Sequence, residues 1–502
     1  MSADAWVVWI VITPLLGALA SFVIGGRVGP QIALVTAGGI VVSFVGLTRQ
    51  LALHGPVRYA MGGWRAPLGI ELYADGLSAV MLLMATIVGL GITLYSRGYF
   101  SGQHRDSAPI KTESAHAQEA FWPLWLFAWG ALNALFLTGD IFNLYVTLEL
   151  LTLCGVALIG LSRRRTASIA AFQYLLAALV GSLFYLLGVA LIYSEYATLD
   201  CMSLSRIVEP TAASAWAMAL MTLGLILKSA LFPLHFWLPP AHGNAPAPVS
   251  SLLSALVVKA SFYFTLRLWF TVFSNVSTPA AGSLLAVLGA AAVLYGSLQA
   301  LRQRRLKMLV AYSTVAQVGY LFLGFALIGQ PAIAAQAASG VVYYALSHAS
   351  AKAAMFFAAG AVMRFAGHDH LDQLHGIGQH VPISIFAFGL AGMSLMGLPP
   401  SGGFVGKWLL LRAAIDAGQW WVVAVILTGG LLAAAYIFPL LNRSFAKAAE
   451  PFEKHPVPRV MEWMSLVLAL VAVTLGLIAT QPLELLEIGT PFSLPAGQEF
   501  AP

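Results

Sequence analysis

The stretch Leu223–His242, LGLILKSALFPLHFWLPPAH, decides how this chain is read. Its first half is apolar enough for a bilayer yet carries Lys228, and its second half holds three prolines. A charged side chain at bilayer depth costs at least about 2.5–3.5 kcal/mol, so a lysine there is a functional residue by default. Proline removes a backbone donor and clashes with the preceding turn. Inside a membrane such a break is tolerated only where protein or a cavity satisfies the freed carbonyls. A second stretch of the same kind, GLPPSGGFVGKW at 397–408, again joins a proline pair to a lysine, Lys407. Paired broken segments in corresponding positions point to the ion site of a transporter.

The surroundings of these two stretches are equally apolar. Of the 502 residues, 59% are hydrophobic and only 9% charged, far below the roughly 25% charged of a soluble domain. Apolar runs of about 20 residues fall near 5–24, 30–52, 75–95, 121–139, 141–161, 168–194, 213–237, 250–273, 281–300, 308–329, 334–364, 383–415, 420–442 and 460–480. The fold expected is an all-α polytopic membrane protein of about 14 transmembrane helices. Strand-period alternation of the kind a β-barrel needs is not seen. The first run lacks a basic flank and reads as a retained helix, not a cleaved signal. Each proline break falls in the fourth helix of a five-helix set, and an odd number of helices per unit makes consecutive units run in opposite directions. The expected organisation is therefore an N-terminal unit over 1–120, inverted repeats over 121–273 and 281–446, and a last helix with a short tail over 447–502.

A net charge of +6 could suggest nucleic acid, but the positions of the charges say otherwise. With the N-terminus outside, sixteen of the 26 Lys and Arg fall in or beside cytoplasmic loops, including Arg27, Arg105, Lys111, Arg163–Arg165, Arg302–Lys307, Arg364 and Lys454. Arg49, Arg58, Arg65, Arg206, Arg267 and Arg412 fall at or near the other face. The positive-inside rule then places both termini on the outer side of a bacterial inner membrane. What remains inside the helices is Lys228, Lys259, Lys352 and Lys407, with Glu149 alone among the acids.

These residue types suit proton transfer. Burial disfavours the charged form of an amine and a nearby carboxylate favours it, so a pair such as Glu149 with Lys228 can hold a proton while together and release it when separated. Lys259 lies on the next helix and is the natural acceptor. His348 and Lys352, four apart, share one helix face, and imidazole passes protons by either nitrogen. Lys407 closes the row. His235 and His242, beside prolines, either cap the broken helix or relay protons. Asp140 and Asp75 read as helix N-caps. The HDHLDQLH segment at 368–375 lacks a carboxylate cluster and reads as a loop, not a metal site. Two cysteines, Cys154 and Cys201, without a CxxC motif, provide no iron–sulfur or zinc ligation. A P-loop and a dinucleotide fingerprint are also missing, so no cofactor is expected and the driving energy must come from an ion gradient or a partner.

The motifs resemble those of the proton-translocating antiporter-like subunits shared by respiratory complex I, membrane-bound hydrogenases and the multisubunit Mrp cation/proton antiporters. FPLHFWLPPAHGNAPAPVSSLLSALVVK at 232–259, with LILKSAL before it, is similar to the family signature. LTGDIFNLYVTLELL resembles its fifth-helix glutamate motif, LKMLVAYSTVAQVGY its tenth-helix motif, and GLPPSGGFVGKWLLLRAA its broken twelfth helix. Within the family, GGWRAPLGIELYADGLSAVMLLMATIVGL resembles the Mrp D subunits, and Lys259 fits them too. The resemblance implies fourteen helices, a polar axis of Glu149, Lys228, Lys259 and Lys407 with His348 and Lys352 linking its halves, and assembly with other membrane subunits. Its expected function is proton translocation in a Na⁺/H⁺ antiporter that is not itself an enzyme. The alternative is a pumping subunit of a redox-driven or carbon-uptake complex.

Overall fold

The computed structural model describes residues 5–25, 28–101, 115–447, 452 and 455–492. Arg27, Arg105, Lys111 and Lys454 lie outside the described residues. The chain is a multi-pass helical membrane protein. Its helices are α1 (Ala5–Ile24), α2 (Gly29–His54), α3 (Gly76–Ser101), α4 (Ala115–Leu137), α5 (Ile141–Gly160), α6 (Arg165–Tyr196), the short α7 (Cys201–Ile207) and α8 (Ala212–Lys228). They continue as α9 (Leu238–Asn244), α10 (Ala247–Val272), α11 (Pro279–Leu301), α12 (Leu306–Ile328), α13 (Ala334–Ala366), α14 (Pro382–Met396), α15 (Gly402–Asp416), α16 (Trp420–Phe445), α17 (Arg459–Thr474) and α18 (Thr480–Glu487).

Among the described residues ten helices are long and apolar enough to cross a membrane. The remaining runs of the sequence reading are α8, α14 with α15, and α17, each too short as an unbroken helix, and α13, which has the length but is less apolar. The proline pairs do break their helices. α8 stops at Lys228, before the first proline, and α14 stops at Met396, where Gly397 takes a φ of +83°. The freed carbonyls find partners: Trp237 Nε1 donates to Leu227 O at 2.9 Å in the first break, and Lys407 Nζ to Leu395 O at 2.6 Å in the second. Ser401 caps α15 through Phe404 N at 3.2 Å.

One feature departs from the all-helical expectation. Between α2 and α3 the chain forms an antiparallel hairpin of β1 (Val57–Ala60) and β2 (Glu71–Ala74). It leans on the turn between α4 and α5, where Gly139 N donates to Glu71 O at 2.9 Å. The strands are four residues each, too short for alternation to stand out in an apolar chain.

α13 is the centre of the molecule. Nearly every residue along it is buried, because α3, α10, α12, α14, α15 and α17 all pack around it. α1, α2 and α16 face outward instead, with Phe22, Val35 and Leu431 among their exposed side chains. The surface of a membrane helix can be apolar without penalty where it meets lipid. α13 meets protein instead, and that is where polar side chains can be satisfied.

Candidate functional site

Lys228 is the last residue of α8, and its amine donates to Oε1 of Glu149 on α5. The Ser182 hydroxyl of α6 donates to the same oxygen, so the carboxylate is held from two sides. A seam of small residues makes this approach possible. Gly181 on α6 and Gly224 on α8 meet backbone to backbone, and a Cβ at Gly181 would come within 2.9 Å of Gly224 O and 3.3 Å of Lys228 Cγ. Lysine at the end of a helix is also well placed electrostatically, since cations favour the C-terminal dipole.

Lys259 follows a π-helical segment at Leu253–Val257 within α10. Such a widened turn leaves a carbonyl free for a side chain. Here the Lys259 amine donates to Ser254 O, while Ser254 Oγ pairs with Thr314 Oγ1 of α12 at 2.8 Å. Lys352 on α13 donates to Val310 O of α12 at 3.0 Å and to the Ser313 hydroxyl. One turn earlier, His348 stacks on Tyr344, with centroids 5.8 Å apart and rings inclined by 4°. Its charged neighbours are Lys259, Lys352 and Lys407. His348 is fully buried and neither ring nitrogen has a hydrogen-bond partner among the described residues. The structure thus gathers Lys259, His348, Lys352 and Lys407 around α13, and joins Glu149 to Lys228 as a separate pair.

The two histidines of the first break differ. His242 on α9 is fully buried and has Lys307, Lys352 and Lys259 as its charged neighbours. His235 sits away from the cluster against Phe232 and Tyr295, with ring centroids 5.6 and 5.0 Å away. Asp140 caps α5 through Asn143 N at 2.7 Å. In the 368–375 loop Asp369 binds Arg305 Nε at 2.9 Å, and burial with the neighbouring His370 keeps His368 below the ordinary imidazole range. No group of His, Cys, Asp and Glu among the described residues is arranged to hold a metal ion.

Two buried charges had been read from the sequence as peripheral. Lys307 is buried and donates to Ala245 O at the end of α9, so it is not a loop cation. Arg267 is buried too: its guanidinium binds both carboxylate oxygens of Asp75, one at 2.6 Å, and Nε donates to Tyr263 Oη at 3.1 Å. Asp75 also caps α3, accepting from Ser78 N at 2.9 Å. The charges buried in the protein are therefore more than one carboxylate and four amines. Lys307 is the second residue of α12 and Arg267 lies five residues before the end of α10, near enough to a helix end for snorkelling to the surface to be the ordinary outcome. A sequence signal for Arg267 existed in Asp75, an acid bordering a long apolar run.

This arrangement can be compared with known proteins. Residues 138–433 match the family model described as NADH:quinone oxidoreductase/Mrp antiporter, TM, and residues 62–107 match that of the NADH-ubiquinone oxidoreductase (complex I) chain 5 N-terminus. The chain is 36% identical over 456 residues to the NADH-quinone oxidoreductase subunit N of Desulforudis audaxviator, covering 87% of this chain and 86% of that one. It is 29% identical to the Na(+)/H(+) antiporter D subunit of Alkalihalophilus pseudofirmus, over 94% of each. Its fold matches a chain in the structure of the Mrp complex from Dietzia sp. DQ12-45-1b with a TM-score of 0.85 and 25% identity, over 98% of this chain and 97% of that one. The matched family model spans more than half of the residues and contains both helix breaks, the Glu149–Lys228 pair and the lysine–histidine cluster, so the chain belongs to the NADH:quinone oxidoreductase/Mrp antiporter family of transmembrane subunits.

Proposed function

We propose that this chain is the proton-translocating subunit of a multisubunit Na⁺/H⁺ antiporter in the bacterial cytoplasmic membrane. Glu149, Lys228, Lys259, Lys352, His348 and Lys407 would carry the proton. The observation that supports this reading most directly is the Glu149–Lys228 pair, a carboxylate of α5 and an amine of α8 that meet beside the glycine seam of α6 and α8. A scaffold gains little from charges at such a cost. Separation of the pair frees a proton for Lys259, and the cluster around α13 passes it to Lys407, with His242 beside Lys352 as a further relay. Sodium would be handled by the complex, because a hard cation wants several oxygen ligands and this path is built of amines and imidazoles.

The repeats proposed are 121–273 and 281–446, one helix break in each, with opposite orientation. In the proposed topology the loops carrying Arg163–Arg165 and Arg302–Arg305 face the cytoplasm and the hairpin faces outward. A second reading, a pumping subunit that a redox partner drives, is favoured by the 36% identity to an NADH-quinone oxidoreductase subunit N.

The test uses inverted vesicles from cells that carry this chain with its neighbouring genes and no other sodium antiporter. Sodium is added to a respiration-driven pH gradient. Collapse of the gradient, lost in Lys228→Ala and Glu149→Ala while the complex still assembles, supports the antiporter reading. Wild-type exchange in both variants removes the proposed path, and no response to sodium or potassium transfers the chain to the redox-driven reading.

A further inference from the structure

Lys407 and Lys228 differ in what answers their charge. Lys228 has Glu149, whereas among the described residues no carboxylate pairs with Lys407. Its ammonium lies instead over the face of Tyr320, 4.1 Å from the ring centroid, with the Tyr344 ring at 5.6 Å. The two ring centroids are 5.5 Å apart and the planes are inclined by 54°, so the rings form the walls of a V around the amine. All three side chains are buried.

The surroundings hold these rings in place. Tyr344 Oη donates to Gln317 Oε1, and Gln317 Nε2 donates to Tyr436 Oη at 3.2 Å. Tyr320 Oη donates to Ile426 O at 3.5 Å. Gly406, one residue before Lys407, lets α15 rest on the backbone of Tyr344, where a Cβ would come within 2.7 Å of Tyr344 Cα. Gly429 on α16 leaves the space that the Tyr320 hydroxyl occupies. The hydroxyls do not form a proton wire, because the chain from Tyr344 to Tyr436 passes through an amide whose nitrogen only donates and whose oxygen only accepts. What the rings offer Lys407 is the negative face of their quadrupoles, at a position buried within the protein.

We propose that Tyr320 and Tyr344 are positioning residues for proton transfer at Lys407, their ring faces standing in for a counter-carboxylate at the second helix break, with Gln317 fixing the Tyr344 ring. This inference rests on the proton path proposed above. It gives the two breaks different chemistry. The partner of Lys228 is a base and can take its proton back; the partners of Lys407 are not bases, so Lys407 exchanges its proton only with other groups, and on the side of the cluster its neighbour is His348, stacked on Tyr344.

The test replaces Tyr320 by phenylalanine and then by phenylalanines bearing one, two and three ring fluorines, in the chain assembled with its partner subunits. Fluorine withdraws charge from the ring face with little change in volume. Sodium-dependent proton exchange in vesicles, normalised to the amount of assembled complex, is read relative to Tyr320→Phe, the unfluorinated member of the series. It should then fall stepwise across the series by about two- to thirtyfold, the range a cation–π contact covers. If Tyr320→Phe does not assemble, the same series at Tyr344 decides in the same way. A flat series with Lys407→Ala inactive overturns the ring cage and leaves the path standing. Full activity of Lys407→Ala overturns the path, and the cage with it.

Discussion

A change at one partner of the Glu149–Lys228 pair leaves the other charge without an answer. Breaking a buried pair costs about 3–5 kcal/mol, whereas replacing both members with neutral groups of similar shape is often close to neutral. Glu149→Gln and Lys228→Met should therefore each lower the thermal stability of the solubilised protein, and the double variant should regain most of it while remaining inactive in exchange. Melting curves of the three variants check this, and a double variant less stable than either single one contradicts it. The same reasoning applies to Asp75 and Arg267. Asp75→Asn should destabilise the protein by about 3–5 kcal/mol, with Asp75→Leu/Arg267→Met restoring it, and limited proteolysis in the hairpin reports the loss. The difference in how visible these residues are in the sequence is physical. Lys228, Lys259, Lys352 and Lys407 stand out because no other charged residue adjoins them in an apolar run, and Glu149 because it is an acid in the middle of a helix. Lys307 follows Arg302, Arg304 and Arg305 and reads as one more loop cation. Only the packing of α9 on α12 takes its amine to Ala245 O.

The helices depend on a few close contacts that a single methyl group would disturb. Gly224→Ala places a Cβ against the carbonyl of Gly181 and must push α8 away from α6. Overpacking of this kind costs about 1–3 kcal/mol, and here it also draws Lys228 from Glu149, so exchange should fall by more than the stability loss explains. Comparing activity per assembled complex with the melting temperature separates the two effects. At this scale the breaks in α8/α9 and α14/α15 are legible from the proline pairs, whereas the single Pro14, Pro123 and Pro439 lie inside continuous helices. Where each break begins is not. α8 ends at Lys228, five residues before Pro233, because Trp237 folds back to cap Leu227 O, and that long-range contact has no local sequence signal. The hairpin was missed for a related reason: VRYA and ELYA are stabilised by each other and by the α4–α5 turn, not by their own pattern.

Over the whole molecule, the basic loops give a topology that labelling can check. Ser274 and Arg304 lie on either side of α11, and both are exposed. Single cysteines at these positions should react with an impermeant reagent from opposite faces, Arg304→Cys from the cytoplasm; the native Cys154 and Cys201 are buried and should stay silent. Reaction of both from one face contradicts the proposed orientation. The helical, membrane-spanning character of the fold is evident from composition, but the position of α13 at its centre is not, because its polar residues make it look like the poorest membrane segment of the long runs. That position has a consequence for how the protein is made. α13 is synthesised before α14, α15 and α17, which pack against it, and the last of these ends about a hundred residues further on, on the order of ten seconds of translation. For that interval the helix bearing His348 and Lys352 has neither enough hydrophobicity to dissolve in lipid nor the neighbours that will enclose it. The segment to which the proposed proton path assigns His348 and Lys352 is therefore the one left longest without its neighbours, and truncations ending before α17 should leave it exposed to membrane proteases.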